Sequence, residues 1–321
     1  MTNSFGSLVE FGDTGLWVSR LCFGTLTLGP LQANLPIQQG VTLLLDAVES
    51  GVNFFDTAQS YRTYPYLREL ICSVGRHNLV IATKSYAVDA KDAREALEEA
   101  MQLLGTDYID LFLLHEQISA ATLRGHKGAL DFYSLAKKEG KIRAIGISTH
   151  YVAAARATIL HPQIDCLQAL YNLNGFGIQD GSAAEMISAL EENKAMGKGL
   201  YAMKVLGGGH LIGDSLAAVR HVASQRCLHS LAIGMQNKEE LRTNLALLND
   251  SHPSEDDLSK LARQPRRLII ADYCQGCGNC LSRCPTKALR LNGNSVTVDR
   301  NLCFTCGYCG DACPHLALKI V

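Results

Sequence analysis

The chain is 321 residues long, 47% hydrophobic and 19% charged, with 30 basic residues against 31 acidic ones and a net charge of -1. That length exceeds one average domain and suits one large barrel with a small appendage, and the even charge balance argues against a nucleic-acid or anionic-membrane partner. With 28 glycines, 8 prolines and no low-complexity tract, a largely disordered chain is excluded; no apolar run reaches the roughly 18 residues of a membrane span, and the polar stretch 1–15 lacks a leader pattern, so a cytoplasmic location is expected.

In chain order, apolar stretches at 8–11 and 16–19 flank Gly12-Asp13-Thr14-Gly15 and predict a hairpin. Eight short apolar runs follow, at 21–23, 52–55, 79–82, 108–114, 142–147, 164–167, 199–203 and 228–233. Helical patterns separate them, at 37–50, 65–74, 90–104, 127–139, 151–160, 182–195, 214–226 and 238–249. Leu43, Leu44, Ala47 and Val48 carry the apolar face of the first, and Ala93, Leu97, Met101 and Leu104 that of the third. This alternation predicts parallel strands joined by right-handed crossovers, with the last strand closing on the first: an α/β fold, a (β/α)8 TIM barrel, with the hairpin plugging its lower end. The polar stretch 250–267 marks a boundary. The expected division is a barrel at 1–251, a linker at 252–265 and a small second domain at 266–321.

The chemistry of such a barrel collects at the C-terminal ends of its strands. The second strand ends in Asp56, with Tyr61 close behind; the third ends at Lys84 and the fourth at His115. Each has an ordinary reading by itself: Asp56 as a helix N-cap, His115 as a satisfied core histidine, Tyr61 as packing. Together, an acid, a phenol, an ammonium and an imidazole on three consecutive strand ends could converge on one point.

These residues, with the turn Asp56-Thr57-Ala58-Gln59-Ser60-Tyr61 and the stretch from Gly140 to Ser148, give the chain a resemblance to the aldo-keto reductase family over most of residues 8–250. The resemblance implies interconversion of a small carbonyl and an alcohol by hydride transfer. Tyr61 would be the acid/base, and Lys84 would lower its pKa by stabilising the phenolate. Asp56 would hold Lys84, and His115 would orient the carbonyl. It also implies an extended NAD(P)(H) across the upper barrel, with NAD versus NADP open. Ser148, Thr149 and Gln168 would meet the carboxamide, although the family usually has Ser-Asn where this chain has Ser148-Thr149. Met203 stands where many members stack a tyrosine on the nicotinamide. Lys204 and the Gly207-Gly208-Gly209 loop stand where barrels often bind phosphate. Gly234 and Asn244 fall at the adenosine end, where Lys238 or Arg242 could replace the missing phosphate-binding pair.

Eight of the 12 cysteines lie in the last fifth of the chain. They form two copies of C-x2-C-x2-C-x3-C-P: Cys274, Cys277, Cys280 and Cys284, then Cys303, Cys306, Cys309 and Cys313. A three-plus-one run suits a cubic iron–sulfur cluster better than zinc, which usually takes two pairs. Residues 266–321 resemble the bacterial two-cluster ferredoxins, a small α+β fold, with short strands expected at 268–272 and 295–299. In proteins of that type the fourth cysteine serves the other cluster. The resemblance therefore implies two 4Fe-4S clusters, one on Cys274, Cys277, Cys280 and Cys313, the other on Cys303, Cys306, Cys309 and Cys284. The remaining cysteines, Cys22, Cys72, Cys166 and Cys227, read as small buried hydrophobes.

A hydride carries two electrons and a cluster passes one. The sequence therefore supports a carbonyl/alcohol oxidoreductase whose clusters connect it to a redox partner protein. The alternative is an electron-transfer protein whose barrel binds a partner or another redox cofactor.

Overall fold

The structure is a computed structural model describing residues 8–303, 305 and 307–321. Two short strands, β1 (Val9–Glu10) and β2 (Trp17–Val18), pair as the expected hairpin. The barrel strands are β3 (Leu21–Gly24), β4 (Phe54–Asp56), β5 (Val80–Ser85), β6 (Ile109–Leu114), β7 (Ile142–Thr149), β8 (Cys166–Leu170), β9 (Gly199–Met203) and β10 (Ser230–Gly234). All neighbours are parallel, and β10 closes on β3.

Two cores follow from the period-two alternation of strand side chains. One face of each strand packs on the surrounding helices, as Phe23, Phe55, Ile81, Phe112, Ile145 and Leu167 do. The other face fills the lumen with Cys22, Phe54, Val80, Ala82, Leu111, Leu113, Ala144, Cys166 and Tyr201. The hairpin closes the lumen from below. Phe11 lies edge-on to Phe54 and Tyr201, at centroid distances of 5.7 and 5.9 Å. Chemistry is thereby left to the opposite end.

The expected helices form within a few residues of their periodic patterns. A helix the periodicity did not mark, Ala120–Gly125, is set by a Ser119–Thr122 capping box. The stretch 252–265 is not simply a linker: it holds the helix Glu255–Ala262, started by Ser254 and tied back by an ion pair between Arg242 and Asp257.

In the second domain β11 (Leu268–Ile270) pairs with β14 (Leu318–Ile320), and β12 (Leu289–Asn292) pairs with β13 (Ser295–Val298). The two strands legible in the sequence, near 268 and 295, thus belong to separate two-stranded sheets. Of the four scattered cysteines, Cys22, Cys166 and Cys227 are buried as expected, whereas Cys72 is exposed.

Candidate active site and cluster domain

Asp56 and Lys84 both point into the lumen, one layer above Phe54 and Ala82, because each lies two residues beyond an inward-facing one. The Lys84 ammonium donates to both Asp56 oxygens, at 2.7 and 2.8 Å, and to the Thr57 carbonyl at 2.7 Å. Its three protons are therefore spoken for. Asp56 Oδ2 also accepts from Gln168 Nε2 and from the Tyr201 hydroxyl, each at 3.0 Å. The pair is closed to water, with Lys84 0% exposed.

Tyr61 ends the 3-10 turn Gln59–Tyr61, which Arg62 terminates with a left-handed φ of 58°. Its ring lies against the other members of the group: Lys84 Nζ is 5.2 Å from the ring centroid, and the His115 ring meets it edge-on at 5.9 Å. The phenol forms no hydrogen bond among the described residues. The structure brings all four tetrad residues together.

One electrostatic expectation is reversed. Burial, then the charges of Asp56 and Glu116, push the Tyr61 phenol well above its ordinary value. Lys84, bonded to both Asp56 oxygens, does not outweigh these effects. His115 is held neutral, well below the usual imidazole value, first by burial and then by Lys84, His150 and Lys204. Its Nδ1 is buried without a partner. The ring stacks on Tyr86 at 4.5 Å, and the Tyr86 hydroxyl donates to Glu116 at 2.8 Å. A neutral imidazole beside an unpaired phenol can donate to, and protonate, one oxygen placed between them.

The positions expected to hold a nicotinamide are in different circumstances. Ser148 Oγ accepts from the Glu116 amide at 2.9 Å, and Thr149 Oγ1 donates to the Gln117 carbonyl at 2.6 Å. Gln168 spends its amide protons on Asp56, and only its buried Oε1 lacks a partner. Met203 is covered, packed with Leu170 against Leu316 of the C-terminal domain. The Gly207–Gly209 turn lies under β14, so closely that a Cβ at Gly209 would collide with the Ile320 carbonyl. His210 meets the Leu318 carbonyl through Nε2 at 2.6 Å and lies against Gly307 and Gly310. Gly234 abuts Thr27. Asn244 is buried on the helix Lys238–Leu248. Lys238 pairs with Asp46 and Arg242 with Asp257, so neither cation is spare. Among the described residues the side chain of Lys204, just beyond β9 at a φ of 59°, has no hydrogen bond or ion pair.

Docked in this way, the C-terminal domain adds two residues that sequence reasoning passed over. Tyr273, next to Cys274, donates to the Leu316 carbonyl at 3.3 Å and is close enough to raise the Tyr61 phenol. Lys319 lies over the Tyr273 ring at 5.1 Å and is 7% exposed.

The cysteines group across the two motifs. Cys280 is raised to about 11, by burial first, then by Cys313, Cys274 and Cys277, its nearest thiols in the electrostatic sense. Cys284, Cys303 and Cys309 line one common cavity under Ile320; Cys306 lies outside the described residues. Backbone amides already aim at sulfur: Ala288 N to Cys284 at 3.2 Å and Ala317 N to Cys313 at 3.3 Å. Left-handed Gly276, Gly278 and Gly307 allow the ligand loops to turn, and beside Gly276 a Cβ would meet the Asn294 backbone at 2.7 Å.

The chain thus joins a closed parallel barrel carrying a strand-end group to a cysteine-rich domain. The model of the aldo/keto reductase family matches residues 20–217, and that of a 4Fe-4S dicluster domain matches residues 267–314. The chain belongs to the aldo/keto reductase family and carries a 4Fe-4S domain. Among curated relatives, the Escherichia coli methylglyoxal reductase DkgA is 34% identical over 126 residues, covering 38% of this chain and 44% of that protein, under half its length. Protein tas of Escherichia coli is 26% identical over 303 residues, covering 78% of this chain and 84% of that one. A solved structure assigned as an aldo-keto reductase of Pseudomonas aeruginosa is 26% identical with a TM-score of 0.66, covering 77% of this chain and 96% of that one. The holo form of an aldo-keto reductase from Bacillus halodurans, 18% identical with a TM-score of 0.63, covers 80% of this chain and 95% of that one and shares the fold. Among the described residues no helix is long and apolar enough to cross a membrane.

Proposed function

We propose that the protein interconverts a small carbonyl compound and its alcohol, with Tyr61 as proton donor and acceptor, and that its electrons pass through the C-terminal domain. The carrying observation is the docking of that domain over the barrel mouth, where Leu316 covers Met203 and β14 covers the Gly207–Gly209 turn, so that Tyr273, the neighbour of Cys274, comes within electrostatic reach of Tyr61.

Reduction of a carbonyl to an alcohol consumes two electrons and two protons: Tyr61 supplies the proton that reaches oxygen and is recharged from solvent, and the proton that forms the C–H bond comes from water. In this reading the carbonyl oxygen sits between the Tyr61 hydroxyl and the neutral His115 ring. His115 donates a hydrogen bond, and Tyr61 transfers a proton as charge develops on that oxygen. Burial raises the phenol, which keeps the proton in place until then. Asp56, fixed by Gln168 and Tyr201, keeps Lys84 under the ring.

Cys274, Cys277, Cys280 and Cys313 would hold one 4Fe-4S cluster, and Cys284, Cys303, Cys306 and Cys309 the other. The amides aimed at Cys284 and Cys313, and the shared cavity of Cys284, Cys303 and Cys309, fit such groups. When bound, each cluster supplies one electron, so the two match the demand of one carbonyl. Several positions that the resemblance offers a nicotinamide are already engaged. Leu316 covers Met203, β14 covers the Gly207–Gly209 turn, and Lys238 and Arg242 are already paired. We therefore derive no step from it. An external redox protein would exchange electrons with the C-terminal domain.

The test is an anaerobic titration of the holoprotein. Carbonyl substrate should reoxidise reduced clusters, and Tyr61→Phe should abolish this while the cluster spectrum persists. Carbonyl turnover with NADH or NADPH at an undiminished rate in a folded variant stripped of its clusters would overturn the electron route. Reversible cluster redox chemistry with no turnover of any carbonyl or alcohol would favour the pure electron-transfer reading.

A further inference from the structure

On β14 the side chains of Leu318 and Ile320 enter the core of the C-terminal domain. Lys319, between them, must face the other way. On a solvated two-stranded sheet that would leave its ammonium in water. Here the opposite face is covered by the barrel mouth, and Lys319 is 7% exposed. Among the described residues its side chain forms no hydrogen bond and no ion pair; its ammonium lies over the Tyr273 ring, and Asp272 and Glu116 act on it from farther away.

Lys204 approaches from the other domain. Its backbone takes the left-handed conformation at the tip of β9, and its side chain also has no hydrogen bond or ion pair among the described residues. The two ammoniums sense each other, because Lys204 is the largest charge acting to depress Lys319. Both also depress His150, which burial holds neutral at about 3. Lys84 and its ion-pair partner Asp56 act on Lys204 in opposite directions. Glu116, the acidic residue that both lysines sense, is engaged by the Tyr86 hydroxyl. Two cations thus approach each other where the domains meet, Lys204 next to Met203 under Leu316 and Lys319 next to Ile320 over the Gly207–Gly209 turn, and among the described residues no carboxylate is bonded to either. Burying unpaired charge is strongly unfavourable, so this junction is built for an anion.

We propose that Lys204 and Lys319 form a carboxylate-binding site and that the substrate is an oxo acid, or the matching hydroxy acid, whose carbonyl reaches Tyr61. The proposal rests on the carbonyl/alcohol reading above and names its substrate class. Neutral His150 offers the carboxylate a further hydrogen-bond donor without a third charge. The site is complete only when the two domains are docked, which ties substrate binding to the position of the clusters.

The experiment uses the anaerobic holoprotein and calorimetric titration with 2-oxopentanoate and 4-oxopentanoate, each beside its methyl ester. At least one acid should bind tenfold or more tightly than its ester. Lys319→Met and Lys204→Met should each weaken the acid by about tenfold and leave the ester unchanged, while Lys319→Arg retains the preference. Unchanged visible cluster absorbance in each variant shows that the domain is intact. Equal affinity for acids and esters, or acid binding that survives both Met substitutions, would overturn the site. If instead the Met substitutions abolish binding of NADPH and spare the acids, the anion is a dinucleotide phosphate and the proposal fails. A Tyr61→Phe variant that binds the acid normally and does not turn it over keeps the two claims separate. Acid selectivity without turnover of any carbonyl by the wild type would sink the catalytic reading and leave the anion site standing.

Discussion

Replacing Lys84 by Met tests the centre of the arrangement. Lys84 is fully enclosed and makes three donations, two to Asp56 and one to the Thr57 carbonyl. Without it, Asp56 keeps only the neutral donors Gln168 and Tyr201 for a buried charge, and the Thr57 carbonyl loses its ammonium donor. Breaking a buried pair from one side costs about 3–5 kcal/mol, chiefly because the other charge is left uncompensated. Asp56→Asn should cost a similar amount for the same reason. The double variant Asp56→Asn/Lys84→Met buries no charge, so it should recover a large part of the loss, with a coupling energy of about 2–3 kcal/mol. The assay is anaerobic denaturant unfolding followed by Trp17, the single tryptophan, which lies on β2 in the plug beneath the barrel and reports on that domain rather than on the clusters. A loss below about 1 kcal/mol for both single variants, or strictly additive losses, would refute the claim that this pair is closed and mutually dependent.

Other predictions follow from the same geometry. Tyr61→Phe should lower carbonyl turnover by about 10²–10⁴-fold, with stability changed by less than about 1 kcal/mol because the hydroxyl has no partner to lose; steady-state rates with a chemical reductant of the clusters measure the first and Trp17 unfolding the second. Gly209→Val should undock the C-terminal domain, because its Cβ would collide with the Ile320 carbonyl at a φ of 95°, and limited proteolysis near 252–267 should accelerate. The affinity for oxo acids should fall as pH rises through about 7, where burial and Lys204 have pushed the Lys319 ammonium. The sign follows from the charge: below that value Lys319 is cationic and attracts the carboxylate, and above it the attraction is lost. Asp272, Glu116 and the Tyr273 ring also face Lys319, and calorimetry between about pH 6 and 8.5, above the usual carboxylate range and below the usual phenol range, measures the trend. Cys313→Ser should remove the cluster shared with Cys274, Cys277 and Cys280 and spare the other, which iron content and electron paramagnetic resonance distinguish.

The amino-acid sequence alone carried the barrel, its strand-end group and the two cysteine motifs, because each is written in local periodicity or in fixed short spacings. Asp56, Lys84 and Gln168 converge on the lumen simply because every second residue of a closed parallel barrel must point inward. Tyr201 obeys the same rule, yet from outside it reads as one more core aromatic, and only the closed lumen reveals its hydroxyl on Asp56. What the tertiary structure decided is the relation between the domains. The triplet Leu318-Lys319-Ile320 looks like an ordinary half-solvated strand, and Met203 and the Gly207–Gly209 turn look like open positions on a barrel rim. Their fate depends on surfaces more than 100 residues apart in the chain meeting, as His210 meets the Leu318 carbonyl. Contacts of that kind are selected by shape and burial and leave no period in the chain. For the same reason, the charge of Lys84 could be read from its residue type, while the burial that chiefly raises the Tyr61 phenol, and the pairing of Lys84 with Asp56, could be read only from the folded barrel.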